Sequence, residues 1–75
     1  MPPLDPALKR FGANVRTRRE ARDLSQEKLA ELADLDLTYI GGIERGERNL
    51  GLLNVVRVAK ALKTSVAELC EGIER

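Results

Sequence analysis

Residues 35–49, LDLTYIGGIERGERN, decide how the chain is to be read. Asp36 belongs to the residue types that cap a helix start, where a side-chain oxygen accepts the unpaired N–H of Tyr39 or its neighbour. Leu35 just before the cap and Ile40 inside the helix form a hydrophobic staple. Ile40 and Ile43 leave the helix only a thin apolar stripe, and Gly46 offers a left-handed stop. The remaining positions (Leu37, Thr38, Gly41, Gly42, Glu44 and Arg45) are small, polar or directed outward. A helix of barely three turns that buries so little is not stable alone. A scaffold has to present it.

That scaffold reads outward from the stretch in both directions. Upstream, Ser25 caps a second short helix, about 26–33, with Leu24 stapled against Leu29 and with Leu29, Ala30, Leu32 and Ala33 facing inward. Asp34-Leu35-Asp36 leads straight into the helix at about 37–45. Two short helices joined this tightly cross at a large angle, a helix-turn-helix unit. Ala30 is small enough for the two to approach closely, and a larger residue there overpacks the contact. Further upstream, Asp5-Pro6 starts a helix over about 6–22, with Leu8, Phe11, Val15 and the stem of Arg19 on its apolar face. Residues 1–4 are expected to be flexible. Downstream, a polar loop leads to a helix over about 52–62 with the stripe Leu52, Val55, Val56, Ala59 and Leu62, and Leu53 out of register with it. Ser65-Val66-Ala67-Glu68 is a capping box for a last helix over about 66–72, with Leu69 inward.

Composition agrees with an all-α class. Apolar residues make up 43% of the 75 positions with only one Phe and one Tyr, and β-branched runs of period two are absent. The length suits one domain, 1–75, which buries only about 60% of its unfolded surface and so needs tight packing or a partner. The single Cys70 and the absence of His leave no intrachain disulfide and no metal-site spacing. Cys70 reads as a semi-buried hydrophobe. A lone thiol fits a reducing cytoplasm. No apolar run approaches the ~20 residues of a membrane span, and the proline-rich start lacks the apolar core of a signal peptide.

The net charge of +1 is small for a nucleic-acid binder, but its distribution is informative. Residues 1–24 carry six basic and three acidic groups, residues 25–49 three and six, and residues 50–75 four and three. The segment that holds the exposed short helix is therefore acidic. If it binds DNA, individual arginines do so locally.

Five short helices with the second and third as one tight unit resemble the Cro/C1-type, or XRE-type, helix-turn-helix family. LSQEKLAELA (24–33) and TYIGGIERGERN (38–49) carry the resemblance, and LDLTYIGGIERGERN looks most like the controller proteins of bacterial restriction–modification systems. The resemblance implies a compact five-helix bundle, a lambda-repressor-like DNA-binding domain. It also implies a sequence-specific transcription regulator acting as a dimer on operator half-sites. Position by position, it makes Leu37, Thr38 and Gly42 base-facing, with Gln26 sometimes reaching a base. Ser25, Tyr39, Arg45, Arg48 and Asn49 fall at backbone-contacting positions, and a helix N-terminus such as that of Ser25-Gln26 suits a phosphate. Arg19 and Glu44 match an ion pair that ties the first helix to the end of the recognition helix.

Two departures from the family pattern stand out. Asp34 replaces the usual glycine of the turn, so the turn has to tolerate an aspartate, with positive φ one route. The recognition face is also unusually bare: Leu37 stands where a long polar side chain is common, and Gly41-Gly42 cost roughly 0.8–1 kcal/mol per glycine relative to alanine. Closer approach of the helix to DNA and mere tolerance both account for them. Thr38 can hydrogen-bond or touch a thymine methyl, and Leu37 offers only apolar contact. Modest base discrimination is expected, with much of the preference coming from DNA deformability and operator spacing.

Blander readings compete. Arg16, Arg18, Arg22, Arg45 and Arg48 are each also readable as ordinary solvated arginines, although Arg45 and Arg48 flank the recognition helix. Tyr39 is either core or a boundary residue with its hydroxyl near a phosphate. Leu53, Val56, Leu69 and Ile73 either complete the core or form a twofold interface, and symmetric dimers dominate among oligomers. Such a homodimer spaces two recognition helices about 34 Å apart, one turn of double-stranded DNA. The alternative function is a protein-interaction module, antitoxin-like or adaptor, that keeps the fold without strong DNA binding. An enzyme is not expected, since no nucleophile–base pair or phosphate-binding loop is present. No cofactor, metal, membrane contact or small-molecule effector is expected.

Overall fold

Five helices follow in order among the described residues, four of them begun by a side-chain cap. The computed structural model describes residues 4–74, in which α1 spans Pro6–Ala21, α2 Gln26–Ala33, α3 Leu37–Glu44, α4 Leu52–Ala61 and α5 Val66–Leu69. The flexible start expected for residues 1–4 falls mostly on residues 1–3, outside the described residues. Leu4 lies exposed ahead of the first cap.

Side chains close the first turns of α1, α2, α3 and α5, whereas α4 starts at Gly51 with no side-chain cap. Asp5 Oδ1 accepts the Ala7 N–H at 2.8 Å with Pro6 opening α1, and Ser25 Oγ accepts the Lys28 N–H at 3.0 Å. Asp36 Oδ2 accepts the N–H of Thr38, one residue earlier in the turn than Tyr39, at 3.0 Å. In the capping box, Ser65 Oγ accepts the Glu68 N–H at 3.0 Å while Glu68 Oε1 accepts the Ser65 N–H at 3.2 Å.

The ends of α1 to α4 share one device. A left-handed residue (Asp23 φ 56°, Asp34 φ 57°, Gly46 φ 79°, Lys63 φ 54°) turns the chain. The next N–H then reaches back to a carbonyl of the last turn: Leu24 to Arg19, Leu35 to Ala30, Glu47 to Gly42 and Thr64 to Ala59, at 2.9–3.1 Å. Asp34 thus does adopt positive φ, as an aspartate tolerates better than most side chains. Its Schellman turn sets the angle between α2 and α3.

Phe11, Val15, Leu29, Ala30, Ile40, Ile43, Val58, Ala59, Leu62 and Leu69 form the core. Two expectations need correction and one alternative is resolved. Leu52 is 73% exposed and Leu32 50% exposed, so neither faces inward. The helices are too short for one extra leucine to reveal its side by periodicity. Leu69 is fully buried, so it belongs to the core and not to an interface. The last helix also stops at Leu69 instead of 72, and Cys70 to Gly72 form a turn.

Two close approaches hold the bundle. Gly12 of α1 lies against the carbonyls of Ile43 and Glu44 at the end of α3, where an added Cβ would sit 2.7 Å from the Glu44 oxygen. Gly46 lies against the Lys9 backbone, its own Cβ position 2.9 Å from Lys9 Cα. Glycine on each side lets α1 rest on the end of α3 with no side chain between. At the opposite side of α1, Asn14 Nδ2 donates to the carbonyls of Leu69 and Glu71 at 2.9 and 2.8 Å, and Arg10 Nε donates to Glu71 at 3.3 Å. These bonds fasten the C-terminal turn to the first helix.

Glu68 is held below the ordinary carboxylate range, first by the Ser65 backbone N–H, then by the Ser65 and Thr64 hydroxyls and by the charge of Arg18. A carboxylate with a lowered folded pKa contributes stability that is complete above its unfolded value and is lost as pH falls through the folded one. In an NMR titration of side-chain carboxyls, Glu68 is expected to titrate below a Glu in an unstructured peptide, and Ser65→Ala, which keeps the backbone N–H and removes the hydroxyl, to move it part of the way back. An ordinary midpoint in the native chain would remove the capping box as a charge-stabilising contact.

Candidate nucleic-acid interface

The α2–α3 unit stands at the surface with the first turn of α3 open to solvent. Leu37 is 43% exposed and Thr38 is exposed beside it, while Ile40 and Ile43 turn inward. Ser25 is exposed at the start of α2. Arg45, Arg48 and Asn49 are exposed at and beyond the end of α3.

One carboxylate fixes this unit to the scaffold. Glu44 Oε2 accepts Arg19 Nε at 2.7 Å and Glu44 Oε1 accepts Arg19 Nη2 at 3.1 Å, a bidentate pair joining α3 to α1. Gln26 Nε2 of α2 donates to the same Oε1 at 3.0 Å, and Arg19 Nη1 donates to the Leu24 carbonyl at 2.8 Å. The two charged side chains are only 12% and 4% exposed. The hydrogen bond to Glu44, ahead of its charge, raises the Arg19 pKa further. Gln26 therefore commits one amide N–H to Glu44, which braces its side chain and leaves its second N–H and its oxygen for other contacts.

Gly42 also needs correction. It is buried, because Arg48 folds back over it: a Cβ there would meet Arg48 Nε at 2.9 Å and Cγ at 3.0 Å. Gly41 is covered the same way by the Arg45 guanidinium, 3.1 Å from its Cβ position. The pair of glycines is thus not a bare face but a notch filled by two arginines from the following loop. Arg48 also lies over the Tyr39 ring, 5.7 Å from its centroid, a cation–π contact. Tyr39 is half-buried, and its hydroxyl accepts Asn54 Nδ2 of α4 at 3.4 Å. Arg45 pairs with Glu47 (Nε–Oε2 3.0 Å, Nη2–Oε1 3.2 Å), which raises the Arg45 pKa and lowers that of Glu47. The sequence gives no sign of this folding back, since the arginines sit beyond the helix whose glycines they cover.

Of the other expected interface residues, Leu53 is 75% exposed, Val56 is half-buried beside it on α4, and Ile73 packs partly against the core. Ile73 also lines an apolar groove of about 140 Å³ with Leu8, Phe11, Leu50, Val55 and Cys70. No helix among the described residues is long and apolar enough to cross a membrane.

A short helix pair joined by a tight left-handed turn, with the opening turn of its second helix exposed and arginines at its far end, defines a helix-turn-helix DNA-binding domain. Comparison with known families agrees, the helix-turn-helix family matching residues 15–69. Control protein C.SmaI of Serratia marcescens is 54% identical over 56 residues, which cover 75% of this chain and 67% of that protein. Control protein C.MunI of a Mycoplasma species is 42% identical over 67 residues, covering 88% and 90%. The crystal structure of the restriction–modification controller protein C.AhdI from Aeromonas hydrophila superposes with a TM-score of 0.81 at 48% identity, covering 83% of this chain and 94% of that one. The chain belongs to the restriction–modification controller proteins, helix-turn-helix transcription regulators. These relatives are regulators by name, not enzymes, and they favour the DNA-binding reading over an interaction module.

Proposed function

We propose that this controller protein acts in the cytoplasm as a symmetric dimer on paired operator half-sites, with α3 of each protomer in the major groove. The observation that carries the reading is the exposed first turn of α3, Leu37 and Thr38, with Arg45 and Arg48 at its other end. Leu37 and Thr38 face base edges, while Ser25, Arg45, Arg48 and Asn49 hold phosphates. Tyr39 serves as the platform from which Arg48 reaches the backbone. Gln26 and Gly42 act less directly, one by bracing Glu44 and the other by housing Arg48. The dimer is supported by the aliphatic outcrop on α4, where Leu52 and Leu53 are 73% and 75% exposed with Val56 beside them. Dimerisation also supplies the avidity that a chain of net charge +1 needs on DNA.

Selection of bound sites from random DNA, followed by titration of the selected site at several salt concentrations, tests this reading. A two-fold symmetric motif with half-sites about 34 Å apart, and affinity falling steeply with salt, is expected. An asymmetric motif would overturn the dimer, and salt-insensitive binding the phosphate contacts.

Glu47 stands where a phosphate would compete for Arg45. Glu47→Gln is therefore expected to tighten operator binding about two- to fivefold at low salt, the range of an exposed ion pair. Fluorescence anisotropy with labelled operator reads this directly. Weaker binding by the variant would instead make Glu47 a group that aims Arg45 at the backbone.

A further inference from the structure

The DNA reading leaves open what the front of α3 recognises. Leu37 is the first residue of that helix and keeps 43% of its surface in water, an aliphatic side chain at a place where a polar one would be better solvated. Three longer polar side chains at this surface are already engaged within the protein. Gln26 donates to Glu44, Arg45 pairs with Glu47, and Arg48 rests on Tyr39 above Gly42. What the opening turn offers outward is the isobutyl group of Leu37 next to Thr38.

We propose that Leu37 recognises the 5-methyl group of a thymine in the major groove, so that each operator half-site carries a thymine beneath the start of α3. The inference rests on the DNA reading above. Thymine alone among the four bases presents an apolar group in that groove, whereas guanine, adenine and cytosine edges present donors and acceptors. A leucine pressed on those edges removes water from polar atoms without replacing their hydrogen bonds. Leu37 thus favours thymine by burying its methyl and disfavours the other bases by desolvating them. Burial of one methyl group corresponds to about three- to fivefold in affinity per half-site.

The test replaces each thymine of the selected operator in turn by deoxyuridine, which removes the methyl group and nothing else. With the native protein, one thymine per half-site is expected to lose about three- to fivefold in affinity. With Leu37→Ala the same replacement is expected to change little, because the leucine that met the methyl is gone. Leu37 is exposed, so the variant keeps its fold, and an unchanged thermal transition checks this. Thr38→Ser, which removes only the threonine methyl, is expected to leave the deoxyuridine effect in place. A deoxyuridine effect that survives Leu37→Ala, or that disappears in Thr38→Ser, overturns the assignment. So does salt-dependent, sequence-selective binding in which no thymine shows the effect, and in that case the DNA reading stands. Absence of salt-dependent binding removes both.

Discussion

Arg19→Ala is expected to destabilise the folded chain by about 3–5 kcal/mol, read as a fall in the urea midpoint at unchanged slope. The substitution takes away both guanidinium donors from a Glu44 carboxylate that is 4% exposed beneath them, leaving the Gln26 amide and whatever water enters the vacated space. A carboxylate left short of partners in a mostly enclosed site is costly. A domain of 75 residues has roughly 4–11 kcal/mol in all, so the loss takes a large part of its stability. Replacing both partners together by Met and Leu removes the stranded charge, and the double variant is expected to regain most of the loss. A cost below about 1 kcal/mol for Arg19→Ala would make the pair equivalent to an exposed one. Because Glu44 collects donors from both α1 and α2, losing the pair also loosens the angle at which α3 is presented. The recovered double variant is therefore expected to bind operator more weakly than the native chain.

Gly12→Ala offers a test in which the sign alone decides. Alanine is better than glycine inside a helix by about 0.8–1 kcal/mol, so at an open site the change stabilises. Here the new methyl meets the Ile43 and Glu44 carbonyls, and backbone atoms cannot swing aside as the end of a side chain can. Overpacking of this kind costs about 1–3 kcal/mol, occasionally more, and the helix has to move bodily to relieve it. A net loss of about 1–2 kcal/mol is expected, which lowers the thermal midpoint of a domain this size by about 4–16 °C. A raised midpoint would mean that α1 and the end of α3 do not touch at this position.

Neither close contact was visible in the same way from the sequence. The Arg19–Glu44 pair follows from the family resemblance, because its two residues lie at fixed motif positions. Gly12 has no such marker, since a glycine within an amphipathic helix leaves the periodicity intact. The helix starts were legible because Asp5, Ser25, Asp36 and Ser65 act on N–H groups two or three residues away. Positive φ at Asp34 was suggested by the family resemblance, which puts a glycine at that turn, whereas Asp23 and Lys63, which do the same after α1 and α4, have no such marker. Leu69 was left between core and interface because a helix of four residues has too few positions to define a face. Leu32 and Leu52 were misread because one surplus leucine satisfies a short stripe on either side. The covering of Gly41 and Gly42 depends on where a loop folds, and no local pattern encodes that.

The Asn14 side chain bridges residues 55 and 57 positions along the chain, and Arg10 one 61 positions along. Closing so large a loop has an entropic cost that only a nearly complete set of contacts offsets. On a ribosome, α1 lacks this clasp until residues 69–71 have emerged, so this fastening of the first helix comes after the other four helices have been made.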